Sequence, residues 1–180
     1  RPDDVLILGK PLGIGIYSAA LKKGALSDQD YREMIASTTR LNRPGCDLSQ
    51  IDGVHDMTDV TGFGLLGHTS ELCRAAGVKA VIREKNVPIF PGAQKLLDDG
   101  FRTGASARNW NSVKTMIDAE ETVDDKTRDI LTDPQTSGGL LVACAPERVD
   151  DVLKTFARHG HEDAAQIGEI AEGPASIEIT

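Results

Sequence analysis

The sequence predicts an α+β domain, with a mixed, largely antiparallel sheet and helices packed on its faces. Three observations carry this. Two continuous apolar runs, Val5-Leu6-Ile7-Leu8 and Gly139-Leu140-Leu141-Val142-Ala143-Cys144, read as buried strands. Strand-like and helix-like segments alternate along the chain. The last two strand-like segments, residues 164–170 and 175–179, flank the tight turn Glu172-Gly173-Pro174, which disfavours a fully parallel sheet.

The elements follow in order. The strand at 5–8 starts almost without preamble, which predicts a piece of a longer chain. Gly13-Ile14-Gly15-Ile16 leads into a short helix ending near Gly24. Ser27 with Asp30 three residues on resembles a capping box. Tyr31, Met34, Ile35 and Thr38 follow at helical spacing, and this helix stops before Asn42-Arg43-Pro44-Gly45. A short strand at 54–57 runs into Thr58-Asp59-Val60-Thr61-Gly62-Phe63-Gly64. A helix follows whose inner face is Leu65, Thr69, Leu72, Cys73 and Ala76, with Gly77 as its stop. Residues 78–82 read as a strand. The stretch 88–125, broken by Pro88, Pro91, Gly92, Gly100 and Gly104, predicts only short helices. After the strand at 139–144, Pro146 opens a helix with Val149, Val152, Leu153, Phe156 and Ala157 inward, closed by Gly160.

Composition narrows the function. The 180 residues suit one domain with a core of its own. Twenty Lys and Arg against 28 Asp and Glu give a net charge of −8. That balance argues against a general nucleic-acid binder and against an anionic membrane surface. Aromatic residues are 4% of the chain, too few for a base-stacking platform. No apolar run approaches the roughly 20 residues that span a bilayer, and no signal peptide is recognisable. Cys46, Cys73 and Cys144 lack CxxC spacing and read as incidental thiols in a reducing, cytoplasmic setting.

Three segments can carry chemistry, each with two readings. In His55–His68, Asp59 sits between a strand end and a helix start, where a carboxylate can bind Mg²⁺. Gly62 and Gly64 let backbone approach a ligand, and the helix N-terminus favours a phosphate. Alternatively, Thr58, Asp59 or Thr61 caps the helix and the glycines merely turn the chain. Asp133-Pro134-Gln135-Thr136-Ser137-Gly138-Gly139 is either a turn or a polar loop facing a ligand. In Leu8-Gly9-Lys10-Pro11-Leu12-Gly13, Lys10 follows a buried strand, where it neutralises a phosphate or lies exposed in a loop. His55, His68, His159 and His161 share no metal spacing. His159 and His161 flank a helix-ending glycine and read as surface residues, while His68 faces either way. Trp110 reads as a partly buried aromatic. No Walker or Rossmann glycine loop is present.

Met57-Thr58-Asp59-Val60-Thr61-Gly62-Phe63-Gly64-Leu65-Leu66-Gly67-His68 resembles the signature of the selenophosphate synthetases (selenide, water dikinases). Lys10–Gly13 and Asp133–Leu141 resemble two further motifs of that family, in its order, and the likeness covers the chain from Asp4 to its end. The resemblance implies a fold like the C-terminal domain of aminoimidazole ribonucleotide synthetase, partly ferredoxin-like. It implies an enzyme that makes selenophosphate from selenide, ATP and water, releasing AMP and orthophosphate, with Mg²⁺. It also implies that residues 1–180 are the second domain of two, and inactive alone. The first domain would hold the catalytic Cys or selenocysteine, an essential Lys, most ATP contacts, the other metal-binding aspartates and most of a homodimer interface. No catalytic residue is then expected in this chain, and none of its cysteines inherits that role. Asp59 would be the one metal ligand of this half. Lys10, Gly62, Gly64, Thr136, Ser137 and Gly138 would line the nucleotide cleft. Same-fold ATP enzymes stand as alternatives: aminoimidazole ribonucleotide synthetase, thiamin-monophosphate kinase and a hydrogenase-maturation dehydratase. A non-catalytic binding module is the alternative from another class.

Overall fold

The computed structural model describes residues 1–180. The elements are β1 (Val5–Leu8), α1 (Ile14–Lys22), α2 (Asp28–Thr39), α3 (Pro44–Leu48), β2 (Val54–Asp59), α4 (Gly64–Ala76), β3 (Lys79–Ile82), α5 (Ala93–Asp98), α6 (Gly104–Val113), α7 (Asp125–Leu131), β4 (Leu140–Cys144), α8 (Val149–Arg158), β5 (Ala165–Ala171) and β6 (Ser176–Ile179). Short 3₁₀ turns lie at Glu84–Asn86, Lys114–Met116, Glu120–Thr122 and Pro146–Arg148. No helix is long and apolar enough to cross a membrane.

The six strands form one sheet in the order β2-β4-β1-β5-β3-β6. Only β3 and β6 pair in parallel; all other neighbours are antiparallel. The α+β expectation therefore holds, with the mixed, largely antiparallel sheet.

Strands β1 and β4 read as unbroken apolar runs because both of their faces are covered. Leu6, Leu8, Leu141 and Ala143 enter the larger core with residues of α1, α4, α5, α6 and α7. Val5, Ile7, Leu140, Val142 and Cys144 point the other way, into a smaller core closed by Leu48 of α3 and by Val152 and Phe156 of α8. Each large aliphatic side chain buried in this way contributes roughly 1.5–3 kcal/mol. Local signals end the helices as read. Ser27 Oγ accepts the Asp30 amide at 3.1 Å, and Gly77 closes α4 in the left-handed region at φ 67°.

Several details differ from the sequence reading. Strands β5 and β6 are not paired with each other; β3 lies between them, with Lys79 opposite both Ala171 and Ser176. The connection 172–175 is long enough to straddle one strand, and apolar alternation does not reveal which strand fills the gap. Pro44 starts a short helix, α3, rather than only ending a segment. Strand β2 continues to Asp59. Ala76 and Ala157 are exposed at the rims of their helix faces. His161 is buried, not on the surface. Phe156 packs beside it at 5.8 Å between ring centroids, and its nitrogens face the carbonyls of Gly9 (3.2 Å) and Leu41 (3.3 Å). The middle of the chain is built of short helices, as read.

Candidate functional site

The strand register brings the three motifs together. Leu8 of β1 lies opposite Leu141, and Asp59 of β2 lies opposite Leu140, so β1 and β2 leave the sheet where β4 enters it. Two backbone bonds extend the pairing past the strands: the Gly9 amide donates to Leu140 O at 2.8 Å, and the Val60 amide to Gly139 O at 2.9 Å. The Gln135 amide donates to Thr61 O at 3.0 Å. One rim thus carries Lys10–Gly13, Asp59–Gly64 and Asp133–Gly139.

Asp59 ends β2 with its side chain exposed, and its carboxylate makes no hydrogen bond or ion pair within the protein. It does not cap α4. The N-cap position is Phe63, without a side-chain bond, and no acidic residue stands in the first turn. Thr61 is held instead by His68, whose buried ring faces inward. The Thr61 amide donates to His68 Nε2 at 3.1 Å, which leaves Nδ1 as the protonated nitrogen of the neutral ring. The start of α4 therefore keeps its first-turn amides free of side-chain caps.

The two glycines serve different ends. Gly64 has φ 71°, and a Cβ there would stand 2.7 Å from the Thr132 carbonyl carbon. Its lack of a side chain lets α4 close on the Thr132 backbone rather than on a ligand. Gly62 faces open space. Asn109 fixes both sides of this contact, donating from Nδ2 to Gly62 O and to Thr132 O at 2.9 Å each.

Lys10 is buried rather than exposed in a loop. Its Nζ donates to Ser37 O (3.1 Å), Arg40 O (2.7 Å) and Ser137 O (2.7 Å). An ammonium has three N–H donors, and all three are engaged by carbonyls. The exposed-loop reading is corrected accordingly: the side chain ties the end of α2 to the 133–139 loop. Burial, with Arg40 nearby, pulls its pKa down to about 8. A cavity of about 390 Å³ opens on the α2 side of Lys10, lined by Glu33, Arg40, Phe90 and Asp163 but not by Asp59.

The 133–139 loop is anchored by two residues that sequence reasoning missed. Asp133 is fully buried, and its Oδ2 accepts the Gly15 amide at 2.8 Å and Gln135 Nε2 at 2.9 Å. Gln135 Oε1 accepts the Ile14 amide at 3.3 Å. Together they cap α1, whose own N-cap is Gly13 and has no side chain to offer. That capless glycine was the available signal; the partner lies 118 residues away. Burial pushes the Asp133 carboxyl up to about 7, against the lowering effect of its hydrogen bonds. Thr136 and Ser137 are exposed and Gly138 is buried.

Elsewhere several titratable groups are paired or buried, while Cys46 is an exposed free thiol. His55 Nδ1 lies 2.8 Å from the Asp4 carboxylate, and His159 Nε2 lies 2.8 Å from Asp47. Burial pushes the Cys73 and Cys144 thiols up to about 11, so neither is a ready nucleophile. Trp110 is half-buried, as read.

No group of three or more His, Cys, Asp or Glu side chains could enclose a metal ion. The exposed, unpaired oxygen donors of Asp59 suit one position of a Mg²⁺ shell, since this ion prefers hard oxygen ligands. The donor set of this chain fits a shared ion and not a complete site.

Comparisons with known proteins place the chain in a family. The family described as AIR synthase related protein, C-terminal domain, matches residues 1–179. The chain is 54% identical over 180 residues to a selenide, water dikinase of Burkholderia pseudomallei (strain K96243), covering 100% of this chain and 51% of that protein. It is 52% identical over 179 residues to the selenide, water dikinase of Burkholderia cenocepacia, covering 99% of this chain and 51% of that protein. The crystal structure of E. coli HypE superposes with a TM-score of 0.71 at 20% identity, covering 99% of this chain and 47% of that one, a likeness of fold. The chain spans about half the length of the curated relatives it matches. It belongs to the AIR synthase related protein C-terminal domain family, and the relatives that share about half of its residues are selenide, water dikinases.

Proposed function

We propose that this chain is the C-terminal domain of a selenide, water dikinase. The parent enzyme makes selenophosphate from selenide, ATP and water, with AMP and orthophosphate as the other products. ATP carries several negative charges, and phosphoryl transfer needs them neutralised and aligned. Asp59 is this domain's ligand to Mg²⁺, which neutralises phosphoryl oxygens when bound. Gly62 and Gly64 shape the turn that presents it, and Thr136, Ser137 and Gly138 line the cleft. An N-terminal domain supplies the catalytic Cys or selenocysteine, the essential Lys, most ATP contacts and the remaining aspartates. It also supplies most of a homodimer interface, and the enzyme works in the cytoplasm.

The observation that carries the reading is the state of Asp59: exposed, unpartnered, and on the rim where three motifs meet. A carboxylate held by no internal bond is free to serve an external cation. The test is Asp59→Ala in the full-length enzyme. Selenide-dependent ATP consumption falls by about 100-fold or more, the scale of a lost metal ligand. Stability changes by less than about 0.5 kcal/mol, because the side chain holds nothing in the fold. Undiminished turnover would reject the assignment. The 180-residue chain alone consumes no ATP, and AMP rather than ADP as the product of the parent separates the dikinase from its same-fold alternatives.

A further inference from the structure

We propose that the backbone amides of residues 136–139 form an oxyanion nest for a phosphoryl group, with Lys10 and Asn42 as positioning residues behind it. The proposal deepens the dikinase reading and rests on it for the source of the phosphoryl group.

The argument begins with where the loop's carbonyls go. Ser137 O accepts Lys10 Nζ at 2.7 Å, and Gly138 O accepts Asn42 Nδ2 at 2.8 Å. In a trans peptide the N–H points opposite to the C=O of the same unit. The amides of Gly138 and Gly139 are therefore turned away from Lys10 and Asn42. Neither they nor the amides of Thr136 and Ser137 meet an acceptor in the protein. Four consecutive unpaired donors are unusual, the more so because Gly138 and Gly139 are buried residues.

The backbone shape suits convergence of these donors. Ser137 is one of three non-glycine residues with positive φ, at 50°. Left-handed residues within a turn bring successive N–H groups onto one concave side, where they bind anions. Side chains are excluded at the two glycines. A Cβ on Gly138 would lie 1.9 Å from Val60 O, and one on Gly139 would lie 2.3 Å from the Lys10 amide nitrogen. The uncapped start of α4 adjoins the loop through the bond from the Gln135 amide to Thr61 O. Backbone dipoles from two directions thus favour a tetrahedral oxyanion at this rim. In this arrangement Lys10 acts through the loop: it turns the Ser137 carbonyl inward and does not touch the anion.

The test is an amide NMR titration of the ¹⁵N-labelled 180-residue chain with inorganic phosphate, first without metal, then with Mg²⁺, and separately with ATP. The resonances of Thr136, Ser137, Gly138 and Gly139 move together and saturate. A response to ATP alone assigns the nest to a nucleotide phosphoryl group; a response to phosphate as well assigns it also to the free oxyanion. Asn42→Asp places a carboxylate against the Gly138 carbonyl and weakens phosphate binding at least tenfold; it lowers the thermal midpoint but keeps the amide dispersion of the folded chain. Lys10→Met does the same if it folds. Unmoved amides with both probes overturn the proposal, as does unchanged affinity in Asn42→Asp. The dikinase reading fails separately. Mg²⁺ then gives no gain in phosphate affinity that Asp59→Asn removes, while the amide shifts persist.

Discussion

Asp133→Asn changes how the stability of this domain depends on pH. Asp133 is fully buried and its carboxyl is pushed up to about 7. In the unfolded chain an aspartate titrates near 3.9. The folded chain thus holds a proton that the unfolded chain has lost between about pH 4 and pH 7. The stabilisation from this group is complete below about pH 4 and is lost as the pH rises through 7. A difference of that size corresponds to about 4 kcal/mol at most. Asparagine keeps one oxygen for the Gly15 amide, the bond that caps α1 at 2.8 Å, and it does not titrate. Urea unfolding of both proteins from pH 4 to pH 8 measures the effect. The stability of the variant relative to the parent sequence rises by about 2–4 kcal/mol across that window. Other titrating groups cancel in the comparison. Parallel profiles for the two proteins would refute the argument, because they would mean that Asp133 ionises alike in both states.

Two further outcomes concern the same rim. Gly64→Ala meets both a left-handed φ and the Thr132 backbone, and it lowers stability by about 3 kcal/mol in urea. Gly62→Ala, facing open space, stays within about 1 kcal/mol and serves as the control. His161 is held below its ordinary pKa by burial, with Lys10 and Arg40 adding repulsion and the Gly9 and Leu41 carbonyls opposing. Its NMR titration midpoint falls below 6.5, and its contribution to stability is lost as the pH drops through that region.

Much of the fold was legible because local chemistry dictated it. The runs at β1 and β4 could be read because both faces of each strand are covered. The ends of α2 and α4 could be read because Ser27 and Gly77 act within their own turns. The illegible parts depend on distant partners. Nothing near residue 79 says that β3 separates β5 from β6. Lys10 has the sequence context of an exposed loop, yet three carbonyls from two other segments draw it inside. His161 sits beside a helix-ending glycine, where a surface cation is common, but the end of α8 folds it against Gly9. At the rim, the motifs marked three loops that the strand register brings together. They did not distinguish residues that face outward, such as Asp59, from those that hold the loops in place, such as Asp133, Gln135, Asn109 and Asn42.

The central position of β1 has a consequence for synthesis. Its partners, β4 and β5, both lie beyond residue 139, and Leu8 finally meets Leu141 and Ala165. At ribosomal speeds of about 5–20 residues per second, the greasy segment waits on the order of ten seconds for its first neighbour to be made. Until then no hairpin can shield it, so assembly is late and all at once, and a nascent chain stalled before β4 is a natural client for a holding chaperone.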